Sequence, residues 1–265
     1  MSEDPLGQRW AAVRAAGRAA LIPYVTAGFP DAGATAAFLR GAAQAGADVV
    51  ELGVPWSDPV ADGPVIQASS HAALAGGMSL TRALALLAEI RPALPVVLFS
   101  YVNPILAYGP ARFARDARAA GAAGLLVVDL PVGSDEAVEA ALRTSGLPLV
   151  RLVAPTTTGE RLRRVAAASE GFVYLLARLG VTGASATLSG TLAERIAAVR
   201  AVSRLPVAVG FGVSAPAQAA EVARLADGVV VGSAVVERLR SGGAAAALAW
   251  LRELRAAMDT VRRAA

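Results

Sequence analysis

The sequence predicts an α/β fold: a single-domain (β/α)8 (TIM) barrel over residues 1–265, with an extra N-terminal helix and a short helix after the eighth strand. Two observations predict it. A unit made of a short apolar run, a turn and an alanine-rich segment of 3.6-residue period recurs about eight times, the order of alternating strands and helices. The apolar runs are nearly continuous, as strands buried on both faces of a parallel sheet must be. No linker, low-complexity segment or composition shift divides the chain. A doubly wound open sheet is the main competing architecture, but no Gly-rich turn follows the first strand.

In chain order, Leu6–Ala16 reads as an amphipathic helix carrying Trp10. Strands are expected at Ala19–Val25, Val49–Leu52, Val96–Phe99, Gly124–Val128, Leu147–Leu152, Phe172–Leu176, Val207–Val209 and Gly228–Val231. Between and after them, helices are expected at Ala32–Ala45, Leu80–Ile90, Pro110–Ala120, Ser134–Ser145, Gly159–Ala168, Thr191–Ser203, Ala215–Leu225, Ser233–Leu239 and Ala244–Ala264. A Gly or Pro just ahead of the apolar run stops one helix and leads into the next strand, as in AGAD before Val49 and SRLP before Val207.

Composition narrows the chemistry. The formal charge of +4 comes from 25 arginines and no lysine, so no Schiff base, covalent pyridoxal phosphate or Walker-type lysine is possible. There is no cysteine and one histidine, His71, so no metal site is expected. The arginines are spread along helix patterns as a solvated face, and no nucleic-acid partner is expected. Neither a long apolar span nor a basic, then apolar N-terminus is present; a cytoplasmic protein without a membrane partner is the expectation.

In such a barrel, chemistry belongs at the C-terminal strand ends. Glu51 sits inside the apolar second strand, and Asp62 follows eleven residues later in a loop. A carboxylate in an apolar strand is costly unless paired or protonated, and burial raises its pKa, which is how a general acid is made. The plainer alternatives are a buried ion pair with an arginine for Glu51 and a helix cap before Gly63 and Pro64 for Asp62. Tyr101 and Asn103 lie just beyond strand three and Asp129 at the end of strand four; Asp48 and Asp227, at strand starts, read as structural. Glycine-rich turns end strands six, seven and eight: ARLGVTGAS, VGFGVS and VVGSAVV. Singly, each is an ordinary tight turn. Together, and followed by a short helix starting at Ser233, they form an anion site built from backbone amides, and phosphate is the expected ligand. An acid–base pair acting on a phosphorylated small molecule is the resulting expectation.

The segment ELGVPWSDPVADGPVIQASSHAAL (51–74) resembles the signature of the tryptophan synthase alpha chain family, and PYVTAGFP, YLLARLGVTGA, GFGVS and GSAVV resemble further blocks of it in the same order. The resemblance implies retro-aldol cleavage of indole-3-glycerol phosphate to indole and glyceraldehyde 3-phosphate, with no cofactor in this chain. It matches Glu51 to the general acid–base, Asp62 to the carboxylate that accepts the indole N–H, and Tyr174 to a tyrosine beside Glu51. Gly183, Gly212, Gly232 and Ser233 match the phosphate turns. Tyr24, Phe99, Tyr101, Leu126, Val128, Leu152 and Phe211 match the wall of the indole pocket, though Leu126 and Leu152 read almost as well as plain core. Thr182, in the Gly180–Gly190 loop, matches a lid residue, and Asp129 a loop support. Asp58 and Pro59 match the contact with a beta subunit, which implies an α2β2 heterotetramer with pyridoxal phosphate only in the beta partner.

Three places depart from the family pattern: Ala177 and Leu179 where polar residues are expected, Arg151 where a less charged residue is expected, and Tyr24 in place of a phenylalanine. A free-standing indole-3-glycerol-phosphate lyase, a non-catalytic barrel that activates a partner, and a phosphosugar isomerase remain as alternatives.

Overall fold

A computed structural model of the chain describes residues 4–177, 185–210 and 212–261. Eight parallel strands close into a barrel in sequential order: β1 (Ala20–Thr26), β2 (Val50–Gly53), β3 (Val96–Ser100), β4 (Gly124–Val127), β5 (Leu149–Val153), β6 (Val173–Leu176), β7 (Val207–Gly210) and β8 (Gly228–Val231). The last strand pairs with the first, Ala20 opposite Gly228, and this closure excludes the open sheet. Each strand starts and ends within two residues of its expected bounds.

Strand residues alternate between two environments. Ile22, Val97, Leu126, Val150, Tyr174, Ala208 and Val230 belong to an inner cluster, and Leu21, Val50, Leu98, Leu125, Val173 and Val229 pack outward against the helices. Helix α1 (Pro5–Ala15) closes the floor of the inner cluster with Leu6, Trp10 and Val13. Trp10 lies 5.4 Å from the Phe172 ring, and a Cβ at Gly228 would come within 2.9 Å of its indole. The charge at Arg151 is explained by its face: it points outward, buried, where it donates to the Leu130 carbonyl and pairs with Glu139.

Around the barrel run α2 (Ala32–Gly41), α3 (Pro64–Ala75), α4 (Leu80–Ile90), α5 (Val102–Tyr108), α6 (Pro110–Ala119), α7 (Glu136–Arg143), α8 (Gly159–Ala167), α9 (Ser185–Arg200), α10 (Pro216–Leu225) and α11 (Ser233–Asp259). Gly243, at φ 65° and ψ −165°, breaks α11 into the short helix and the long one expected from the sequence. Two helices, α3 and α5, were not expected. The loop read as Gly180–Gly190 ends earlier, since α9 begins at Ser185. Among the described residues, no single helix is long and apolar enough to cross a membrane.

Asp48 ties the barrel floor together. Fully buried, it accepts from both terminal nitrogens of Arg18 at 2.7 and 2.6 Å and from the Leu21 amide at 3.0 Å, with Arg255 of α11 at 3.6 Å. Asp227 does the same on the other side, accepting from the Val207 amide at 2.8 Å and from Arg200 at 3.2 Å. Both are structural, as expected of aspartates at strand starts. Asp48→Ala is expected to cost about 3 kcal/mol in urea denaturation, because it strands a buried amide and two guanidinium groups. A loss below about 1 kcal/mol would mean that water replaces the carboxylate there.

Candidate active site

The inner face of β2 carries Glu51 up to the mouth of the barrel. Parallel pairing sets Tyr24 opposite Glu51 on one side and Val97 on the other. Glu51 is 1% exposed, its Oε1 has no hydrogen-bond partner, and among the described residues it has no ion pair. The buried ion pair considered from the sequence is therefore not formed among the described residues. Burial alone pushes the Glu51 carboxyl up to about 8, so the group holds a proton at neutral pH.

Asp62 has a different setting. It is half-buried in the loop between β2 and α3, and its Oδ2 accepts from the Tyr101 hydroxyl at 3.0 Å. Burial raises this carboxyl to about 6 while the Tyr101 bond holds it down, so it is mostly ionised at neutral pH. It does not cap α3, whose N-cap is Gly63 with no side-chain bond. The Tyr101 hydroxyl also accepts from the Ala61 amide at 3.1 Å, so Tyr101 grips this loop rather than lining the pocket wall.

Two tyrosines complete the ring around Glu51. The Tyr24 and Tyr174 hydroxyls lie against Gly53 and Gly210, where a Cβ would fall 2.0 and 2.5 Å away, so each ring needs the glycine beneath it. Burial and the nearby carboxylates raise both phenols well above the ordinary tyrosine value, keeping them protonated. Tyr24 meets Phe99 edge to face at 5.3 Å.

These groups line one cavity of about 200 Å³. It brings together Glu51, Asp62, Tyr174, Tyr24, Phe99, Gly212, Gly232 and Ser233 of the expected site. In the same cavity, at the end of β8, Gly232 begins α11 with no side-chain cap, and the Ser233 and Ala234 amides lie ahead of the first bonded turn.

The cavity also includes Ile66, Leu176, Gly210 and Val230, which the sequence reading missed. Two-residue alternation back from Gly232 marks Val230; Ile66 had no such signal, because the buried side of α3 is half serine.

Other expected residues fall elsewhere. Leu126 is fully buried in the inner cluster below the mouth and is core. Val128 and Leu152 line an adjoining cleft with Ala61 and Leu176. Asp129 accepts from the Val102 amide at 2.7 Å and so supports the start of α5. Asp58 is exposed, whereas Pro59 is buried in the isolated chain. Gly183, Thr182 and Phe211 lie outside the described residues, as does Leu179. Among the described residues no cluster of His, Asp or Glu has metal-binding geometry.

A (β/α)8 barrel that brings Glu51 of β2, Asp62 of the following loop and an uncapped helix start after β8 into one cavity has the parts of an acid–base enzyme for a small anionic substrate. The family described as tryptophan synthase alpha chain matches residues 10–263. The alpha chain of Citrifermentans bemidjiense is 48% identical over 234 residues, 88% of each chain. That of Halorhodospira halophila is 46% identical over 262 residues, 98% of this chain and 95% of that one. Among solved structures, tryptophan synthase from M. tuberculosis in its aminoacrylate-bound form superimposes with a TM-score of 0.87 at 40% identity, covering 97% of this chain and 100% of that one. The alpha subunit from Legionella pneumophila gives 0.90 at 33% identity, covering 98% and 100%. The chain belongs to the tryptophan synthase alpha chain family.

The raised Glu51 carboxyl has a consequence for stability. An ordinary value of 4.5 in the unfolded chain and about 8 in the folded one means that the native state binds the extra proton between those limits. Its contribution is complete below the unfolded value and is lost as pH rises through the folded one. Glu51→Gln removes this dependence, so the variant's denaturation midpoint is expected to gain on the wild type between pH 6 and pH 9. An unchanged difference between the two proteins over that range would show that Glu51 is not buried unpaired.

Proposed function

We propose that this cavity cleaves indole-3-glycerol phosphate to indole and glyceraldehyde 3-phosphate, the lyase step of tryptophan biosynthesis. The observation that carries the reading is the unlike tuning of two carboxylates in one pocket, Glu51 raised further than Asp62, with a helix start in the same lining.

The phosphate rests on the amides at Gly212, Gly232 and Ser233, with Gly183 completing the set. Tyr24 and Phe99 flank the indole ring, while Val128 and Leu152 line the cleft beside it. Asp62 accepts the indole N–H. Glu51 donates its proton to indole C3, which breaks the ring's aromaticity and puts positive charge on the nitrogen beside Asp62. The Glu51 carboxylate then takes the proton from the hydroxyl on the carbon attached to C3. The C–C bond breaks, its electrons restore the indole, and the hydroxyl carbon becomes the aldehyde. Glu51 is left protonated, as it began. Tyr174 positions the chain near Glu51, and Thr182 closes the site as a lid.

The indoleninium itself is the electron sink, so the step requires neither a lysine nor a cofactor from this chain; pyridoxal phosphate belongs to the beta subunit. That subunit is the partner in a cytoplasmic α2β2 assembly. It meets the Asp58–Pro59 loop, where Val60 is 82% exposed.

The direct test is indole release from indole-3-glycerol phosphate. Glu51→Gln and Asp62→Asn are each expected to abolish it, and the wild-type kcat/KM should be bell-shaped with limbs near 6 and 8. Activity retained in either variant would remove that carboxylate from the mechanism. Adding the beta subunit is expected to order the Asp58 loop and raise turnover; an unchanged rate would contradict the coupling.

A further inference from the structure

We propose that Gln67 is a positioning residue that holds the Asp62 carboxylate where the substrate N–H meets it. The inference rests on the role given to Asp62 above and concerns how that role is enforced.

Asp62 has no rigid element of its own. It ends a turn in which its amide donates to the Pro59 carbonyl at 3.0 Å. Both carbonyls of that turn are gripped by one side chain: Gln67 Nε2 donates to the Asp62 oxygen at 3.0 Å and to the Pro59 oxygen at 3.3 Å. A single amide group thus spans the turn on its outer side, while the Tyr101 hydroxyl holds the Asp62 carboxylate and the Ala61 amide on the other. Without the glutamine, Tyr101 is the one side chain left gripping the turn among the described residues.

The base from which Gln67 reaches is fixed. Two residues further along α3, the buried Ser69 hydroxyl donates to the Ile66 carbonyl at 2.8 Å and meets the buried Thr26 hydroxyl of β1 at 2.6 Å. Ser70 Oγ accepts from the Trp56 amide at 2.7 Å and donates to its carbonyl at 3.0 Å, and His71 Nε2 is 2.9 Å from the Ser57 carbonyl. Of these four polar residues of α3, Ser69 anchors the helix on the barrel wall, and Gln67, Ser70 and His71 lace the β2–α3 loop to it. Ser70 and His71 hold the start of the loop. Gln67 alone among the four holds the end that carries the carboxylate.

Among the described residues, the titratable groups around Asp62 are Glu51 of β2, Tyr24 of β1 and Tyr174 of β6 in the cavity, and Tyr101 ahead of α5, which bonds it directly. No cation stands among them, so water exclusion is what raises Asp62. Loosening the turn lets water in and lowers that carboxyl.

The test is Gln67→Met, which keeps the length and removes both donors. The kcat/KM for indole release is expected to fall about tenfold to a hundredfold, the scale of a misplaced reacting group. The acid limb of its pH profile should move down from near 6, and affinity for glycerol 3-phosphate, the probe for the amide turns, should stay within about twofold. Hydrogen exchange of the 60–62 amides should speed up while that of the second half of α3 does not. An acid limb left in place, or glycerol phosphate affinity lost in step with activity, would overturn the proposal. Failure of the wild type to release indole would instead defeat the reading of the reaction, and the exchange measurement would still report on the Gln67 clasp by itself.

Discussion

An acidic side chain held inside a barrel, with no counter-charge among the described residues, is the constraint on which the site depends. Glu51 occupies an inward position that its neighbours fill with valine, tyrosine and phenylalanine. Ionising it there would strand a charge in a low-dielectric interior, so the folded protein retains the proton. The rest of the inner face preserves that condition. Helix α1 seals the floor with Trp10 against Phe172, and two tyrosines close the sides over glycines that make room for their rings. The same features that make Glu51 costly to the fold make it a proton donor at neutral pH.

The second carboxylate is tuned by partial burial and by one phenol, and it is placed by a loop. Strand and loop thus divide the work. In the proposed reaction the strand supplies a fixed proton carrier, and the loop supplies an acceptor whose turn is held by hydrogen bonds from Tyr101 and Gln67. On the proposed function a partner would set this loop, because its exposed tip at Asp58 and Val60 continues directly into Asp62. Pro59 between them is buried in the isolated chain, so the tip offers Asp58 and Val60 as its accessible side chains.

Much of this was legible in the residues themselves. Continuous apolar runs gave every strand to within two residues, and Glu51 stood out because a charge interrupted one of them. Helix α3 was hidden for a physical reason: its buried side carries Ser69 and Ser70 alongside Ile66 and Ala73, so no apolar stripe of helical period appears. Depth inside the barrel was equally hidden. Leu126, Val128, Leu152 and Phe99 all share the inward phase of the alternation, yet Leu126 sits in the closed core, Val128 and Leu152 face an adjoining cleft and only Phe99 reaches the cavity. Phase is written in one strand's sequence, whereas depth depends on how eight strands are staggered around the closed sheet. Tyr101 and Gln67 act through hydroxyl and amide bonds to a distant or irregular backbone, which no periodicity records.

The central claim is that environment alone gives two carboxylates of one pocket opposite protonation states at neutral pH. The most direct test is a carboxyl titration of the free protein by carbon-13 NMR, with Glu51→Gln and Asp62→Asn assigning the two resonances. The account predicts midpoints near 8 for Glu51 and near 6 for Asp62. Two carboxyls that both titrate near 4, the ordinary carboxylate range, would contradict it.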